Sequence, residues 1–98
     1  MKIEILDKAE QDIVNGFWFY ERQSAGLGDY FLDSTFSDIE SLHLYAGIHA
    51  QHSGYHRLLA KRFPFALYYR IEGRVIRVYA ILDCRQNPLR AYGRLTDS

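Results

Sequence analysis

The sequence predicts an α+β fold: an N-terminal strand, an α-helical hairpin, then an antiparallel β-meander forming one sheet packed on the helices. Three observations carry this. Apolar residues recur at helical spacing over residues 7–44, they alternate with polar ones over residues 56–82, and glycines stand where each half must reverse, in SAGLG and in Glu72-Gly73. At 98 residues the chain reads as one domain, 1–98, with room for a single core and a single site.

Residues 2–6 alternate as a short strand, with Ile3 and Ile5 on one side. Asp7, with Glu10 three residues later, predicts a capping box for a helix that runs to residue 23. Ile13, Phe17 and Tyr20 form its buried stripe, flanked by Val14 and Trp18, while Glu10, Asp12, Glu21 and Arg22 face water. SAGLG turns the chain into a second helix over residues 29–44, antiparallel to the first, burying Leu32, Phe36, Ile39 and Leu42 or His43. Residues 45–55, with Gly47, Ser53 and Gly54 and no period, read as a loop.

Three strands follow, over residues 56–61, 65–71 and 74–82, the last two joined at Glu72-Gly73. Pro64 begins a strand, where its missing N–H costs little. Alternation sets Leu67, Tyr69 and Ile71 with Ile76, Val78, Ala80 and Leu82 against the helices. It leaves Ala66, Tyr68, Arg70, Arg77 and Tyr79 on an open face, as antiparallel sheets allow. The tail LRAYGRLTDS is polar, basic and expected to be loosely held.

The formal net charge of zero conceals a division. Residues 1–54 carry three Lys and Arg against nine acids, a net of −6, and residues 55–98 carry nine against three, a net of +6. A chain divided this way can present a strongly positive face despite a neutral total. No apolar run reaches the ~20 residues of a membrane helix, and the N-terminus MKIEILDKAEQD turns acidic where a signal peptide would become apolar. The chain is therefore expected in the cytoplasm, without a membrane partner. Cys84 is alone, which excludes an internal disulfide, suits a reducing compartment and predicts a buried strand thiol.

Among candidate chemical groups, His49 and His52 have HxxH spacing but lie in a loop without acidic or cysteine ligands nearby, so they read as solvated residues and no metal or cofactor is expected. Asp83 is given no proton-transfer role. Trp18 reads as hairpin packing. An isolated strand cation such as Arg77 reads as part of a wet sheet face.

The segment KRFPFALYYRIEGRVIRVYAILDCRQNP, together with the order of strand, helical hairpin and meander, resembles the RelE/ParE superfamily of bacterial toxins from type II toxin–antitoxin modules. FWFYERQSAGLGDYF, an aromatic-Tyr-Glu segment followed by Gly-Leu-Gly and Phe, brings the resemblance closest to ParE-like (plasmid stabilisation) members. It covers residues 2–88. It implies a toxin neutralised by a cognate antitoxin in a hetero-oligomer, the antitoxin's extended segment adding to the sheet or covering its basic face.

The superfamily holds two activities: ParE-like toxins poison DNA gyrase, and RelE-like toxins cut messenger RNA in the ribosome. The resemblance to the ribonucleases places Arg57, Arg85 and Tyr92 at catalytic positions, Tyr92 one residue beyond the expected tyrosine. Leu59 and Ala66 stand where a lysine and an arginine belong. Losing one preorganised charge-stabilising donor costs about 100-fold or more in rate. The resemblance thus favours a non-enzymatic gyrase poison, with a ribosome-dependent endoribonuclease as the alternative and a non-toxic scaffold of an autoregulatory complex as a third reading. The face offered to antitoxin or target comprises Arg57, Lys61, Arg62, Tyr68, Arg70, Arg77, Tyr79 and Arg85.

Overall fold

The computed structural model describes residues 1–96 and has the expected α+β order. Strand β1 (Lys2–Ile5) leads into helices α1 (Asp7–Glu21) and α2 (Leu27–Glu40) and a single turn, α3 (Leu42–Tyr45). Strands β2 (Gln51–His52), β3 (Tyr55–Leu59), β4 (Phe65–Glu72) and β5 (Val75–Asp83) follow, then helix α4 (Pro88–Thr96). The sheet runs β1-β5-β4-β3-β2. Strands β2 to β5 are antiparallel neighbours, and β1 joins β5 in parallel, with Ile3 beside Ile76 and Ile5 beside Val78.

The capping box does not form. Leu6 occupies the N-cap of α1, with its N–H bonded to Val78 O (3.1 Å) and its carbonyl accepting from Glu10 N–H (2.9 Å). Strand passes into helix with no residue to spare, so Asp7 is already helical and serves the first turn only through its charge. Glu21, expected in solvent, instead turns across the hairpin. Its carboxylate accepts from Gly26 N–H at 3.1 Å and Gly28 N–H at 2.9 Å, satisfying amides at the start of α2.

The two helices meet at glycines. A Cβ on Gly16 would stand 2.5 Å from the Phe31 ring, and one on Gly28 would stand 2.8 Å from the Phe17 carbonyl oxygen. This contact fixes the rotation of α2. Its buried face runs through Gly28, Phe31, Thr35, Asp38 and Ile39, so Phe31 is fully buried while Phe36, expected in the core, is 45% exposed. The Phe31 ring lies among Tyr20, Phe63 and Phe65. On α1 the buried positions are Ala9, Ile13, Gly16 and Tyr20.

Three further expectations are corrected. The segment 45–55 contains β2, which pairs with β3 across a Ser53-Gly54 turn whose residues both have positive φ, 55° and 83°. The sheet faces also change partway along β5. Tyr68 pairs with Ala80 and Tyr69 with Val78, so Tyr79 is an extra residue, a β-bulge. Beyond it the alternation is reset, sending Ile81 to the helices and placing Ala80 and Leu82, assigned above to the helix side, on the opposite face.

That opposite face is not open, because the tail is helix α4. Pro88 occupies the first helical position and Asn87 Oδ1 accepts from Leu89 N–H at 2.9 Å, a standard helix start. Leu95 buries itself with Tyr55, Ala66, Tyr68 and Ala80, and the Tyr55 hydroxyl donates to Leu95 O at 3.0 Å. Arg94 grips Asp12 through two bonds of 2.7 and 2.8 Å, while Asp12 also accepts from Ile81 N–H at 2.9 Å. The end of the tail, residues 97–98, lies outside the described residues. Among the described residues no helix is long and apolar enough to cross a membrane.

Phe31→Ala is expected to lower the unfolding free energy by about 3–5 kcal/mol, and Phe36→Ala by less than about 1 kcal/mol; urea denaturation of both variants checks the rotation of α2. Arg94→Met is expected to loosen α4 and speed tryptic cleavage after Arg90 several-fold, with little change in the urea midpoint. Unchanged cleavage would remove Arg94 as the clasp of that helix.

Candidate functional site

The site is built on β3. Tyr55, Arg57 and Leu59 alternate onto the α4 side of the sheet, and His56 and Leu58 turn towards α1 and α2. Arg57 Nε donates to the Tyr68 hydroxyl at 3.1 Å, and its Nη2 lies 3.5 Å from Cys84 Sγ. Partial burial opposes the Arg57 charge, but these two contacts outweigh it and hold the guanidinium above its ordinary value. Cys84 is exposed, because it lies just past the end of β5. Helix α4 crosses this face and leaves a cleft of about 380 Å³ lined by Arg57, Tyr68, Cys84, Arg90, Tyr92 and His52.

Of the residues expected at catalytic positions, Arg57 and Tyr92 share this cleft. Arg85 does not line it. Its guanidinium turns back on Asp83, with Nη2 2.8 Å from Oδ2, a bond that raises Arg85 and holds the Asp83 carboxyl below its usual range. Leu59 presents an exposed alkyl group and Ala66 is buried, so neither supplies a polar donor.

Other residues expected on the binding face are engaged within the molecule. The Arg70 guanidinium lies 3.9 Å over the Tyr55 ring and its Nε donates to Gly54 O at 3.2 Å. Arg77 bonds Glu72 and Glu4, and the Tyr79 hydroxyl donates to Glu72 at 2.8 Å. The bond from Arg77, followed by that from Tyr79, draws the Glu72 carboxyl below its ordinary value. Lys61 and Arg62 are exposed in the connection from β3 to β4.

A second depression, about 480 Å³, follows the outer edge of β3. Its apolar wall contains Tyr45, Ile48 and Leu59, which are 52%, 73% and 60% exposed. Asp38 lies at its margin; burial pushes this carboxyl up, against the Lys61 backbone amide and the nearby Lys61 and Arg62 charges. Strand β2 covers only Tyr55 and His56, with Ala50 O accepting from Arg57 N–H at 2.9 Å. By alternation, the Leu59 N–H and carbonyl face the same edge, and among the described residues no strand pairs there.

Arg90, the groove and Asp38 escaped the sequence reading. Asn87-Pro88 is the signal that would have placed Arg90 and Tyr92 on one helix. Nothing local in sequence brings residues 38, 45, 48 and 59 together. The two HxxH histidines separate: His49 bonds Tyr69, and His52 lies exposed on β2. Among the described residues no group of three His, Cys, Asp or Glu side chains is placed to hold a metal.

No protein-family model matches the sequence, and no curated protein matches it. Among solved structures, the fold is similar to that of a chain described as the chromosomal ParDE TA system from P. aeruginosa, with a TM-score of 0.69 and 19% sequence identity. The alignment covers 83% of this chain and 92% of that one. At this identity the likeness establishes a shared fold.

Proposed function

We propose that this protein is the toxin of a type II toxin–antitoxin module, ParE-like, which inhibits growth by poisoning DNA gyrase and is neutralised by a cognate antitoxin. The fold shared with a chain of a ParDE system supports the module. The observation that carries the non-enzymatic reading is the disposition of the expected catalytic groups: Arg57 and Tyr92 line one cleft, Arg85 does not line it and is held by Asp83 of the cleft wall, and Leu59 and Ala66 offer no charge. Cutting RNA without a metal requires a base for the 2′-OH, charge stabilisation at phosphorus and an acid for the leaving oxygen. The cleft brings together part of that set.

The antitoxin's seat is the β3-edge groove. An extended segment laid there finds the unpaired Leu59 edge for its backbone and Tyr45, Ile48 and Leu59 for its apolar side chains. Lys61, Arg62 and Arg57 favour acidic residues in that segment. A ribonuclease reading is favoured by one feature, the convergence of Arg57, Arg90, Tyr92 and His52 on the α4 cleft.

Induced expression in a bacterium lacking the antitoxin is expected to stop growth with fragmented or unsegregated chromosomes and intact transcripts. Cleavage within translated codons would instead establish the ribonuclease. Continued growth with neither effect would leave the scaffold reading. Leu59→Asp is expected to weaken capture of the cognate antitoxin by roughly 10-fold or more while leaving the urea midpoint unchanged; undiminished capture would remove the β3 edge as the seat.

A further inference from the structure

The wall of the β3-edge groove is fastened by an unusual arrangement of histidines. The Tyr69 hydroxyl, on a fully buried residue of β4, accepts from Gly47 N–H at 2.9 Å and lies 2.6 Å from His49 Nδ1. With the backbone amides of both Gly47 and His49 donating to this oxygen, its own proton is directed to His49 Nδ1, which assigns Nδ1 as the acceptor of a neutral ring. His56 plays the complementary part. Its ring stacks on Tyr69, with centroids 5.0 Å apart and planes inclined by 21°, and its Nδ1 lies 2.8 Å from His49 O. A carbonyl can only accept, so His56 Nδ1 carries a proton and keeps that bond whether its ring is neutral or charged.

The acid-sensitive contact of this wall is therefore the one at His49. Protonation of His56 leaves its bond to the segment intact, whereas protonation of His49 places a donor against the Tyr69 hydroxyl and strips that hydroxyl of its acceptor inside the core. We propose that His49 is an acid-released latch: while neutral it holds segment 46–50 against Tyr69 and shapes the β3-edge groove, and on protonation it lets that segment go. Its regulatory meaning, release of the bound segment in acid, rests on the reading of this groove as the antitoxin's seat.

The surroundings give a charged His49 no compensation. Facing it are His56 from β3 and Tyr69 from β4, and the same groove is lined by Tyr45 from α3, Asp38 from α2, and Arg57 and Lys61 from β3 and its following turn. The one acid among them, Asp38, is occupied by the Lys61 backbone amide and faces the charges of Lys61 and Arg62. Burial first, then the charge of His56, lowers the His49 value below that of an ordinary histidine. A released His49 titrates near ~6.5, so the released state binds more protons. The latch is fully effective above about that pH and weakens as pH falls towards and through the lowered value of the latched ring.

Amide hydrogen exchange on the full chain, between about pH 7.5 and 5, tests this. Corrected for intrinsic exchange, protection of Gly47 N–H is expected to fall about tenfold or more in acid, while protection at Val78 in the core stays constant. His49→Gln keeps a side-chain acceptor and cannot titrate, so it is expected to abolish the fall. A flat profile at Gly47, a matching loss at Val78, or an acid-induced fall that persists in His49→Gln would each overturn the latch. Should the variant disorder the segment at every pH, the wild-type imidazole resonances decide, because titration of His49 at or above ~6.5 contradicts the proposal and titration below it supports it. No partner enters this experiment, so its failure removes the latch alone, and undiminished capture by Leu59→Asp removes the seat alone.

Discussion

The extra residue in β5 is the constraint on which the rest of the structure depends. Up to Val78, β5 is an alternating strand between β1 and β4, its apolar side chains facing the helical hairpin. Tyr79 breaks that phase, so Tyr79 and Ala80 lie on one face and Ile81 returns to the helices. Both faces then acquire apolar surface at the same end of the sheet, and both must be covered. The hairpin covers one and α4 the other. β1 ends too early to pair with Ile81, whose N–H is taken instead by Asp12 of α1. The same carboxylate holds Arg94 of α4, so a single side chain replaces a missing strand partner and ties together the elements on both faces.

This arrangement changes the meaning of the charge division. An acidic first half and a basic second half look like a molecule displaying a positive surface, yet much of the attraction is spent within the chain. Asp12 with Arg94, and Glu4 with Arg77, join the two halves across long sequence separations. Arg85 and Asp83 pair locally. The more exposed Glu4–Arg77 and Asp83–Arg85 pairs orient elements more than they stabilise them, whereas Asp12 and Arg94 are largely buried. Their consequence for function is subtractive, because each guanidinium held by a carboxylate attracts an acidic partner less.

The types and order of β1, α1, α2, β3, β4 and β5 were legible in the sequence because period and punctuation are local properties, whereas β2 and α4 were read as a loop and a loose tail. Leu67 to Ile71 and Val75 to Val78 alternate cleanly, although the two-residue turn between them falls at Gly73-Arg74, one residue beyond the expected Glu72-Gly73. What escaped was whatever depends on contact between elements. Phe31 and Phe36 are equally apolar, and only the close approach at Gly16 and Gly28 decides which is buried. A bulge leaves no compositional mark, so Ala80 and Leu82 were assigned to the wrong face. Tyr68 and Tyr69 are adjacent, yet both are buried, because α4 converts an apparently open face into a second core. At the candidate site, Arg57 and Tyr92 were identified from resemblance, whereas the groove required four separated segments to be placed together.

Among the cations not paired with a carboxylate, three lie close together along β3 and its following turn: Arg57, Lys61 and Arg62. Arg57 differs from Arg77, Arg85 and Arg94 in the kind of partner it has: a tyrosine hydroxyl and a thiol orient its guanidinium without neutralising it. Lys61 and Arg62 follow within five residues, and no carboxylate among the described residues lies within ion-pair distance of any of the three. These cations flank the unpaired Leu59 edge and the exposed side chains of Tyr45 and Ile48. Backbone valence, apolar surface and uncompensated charge thus coincide in one strip. Each alone is common on a protein surface; together they are what the antitoxin segment of the proposed function would require, a free strand edge, apolar contact and positive charge.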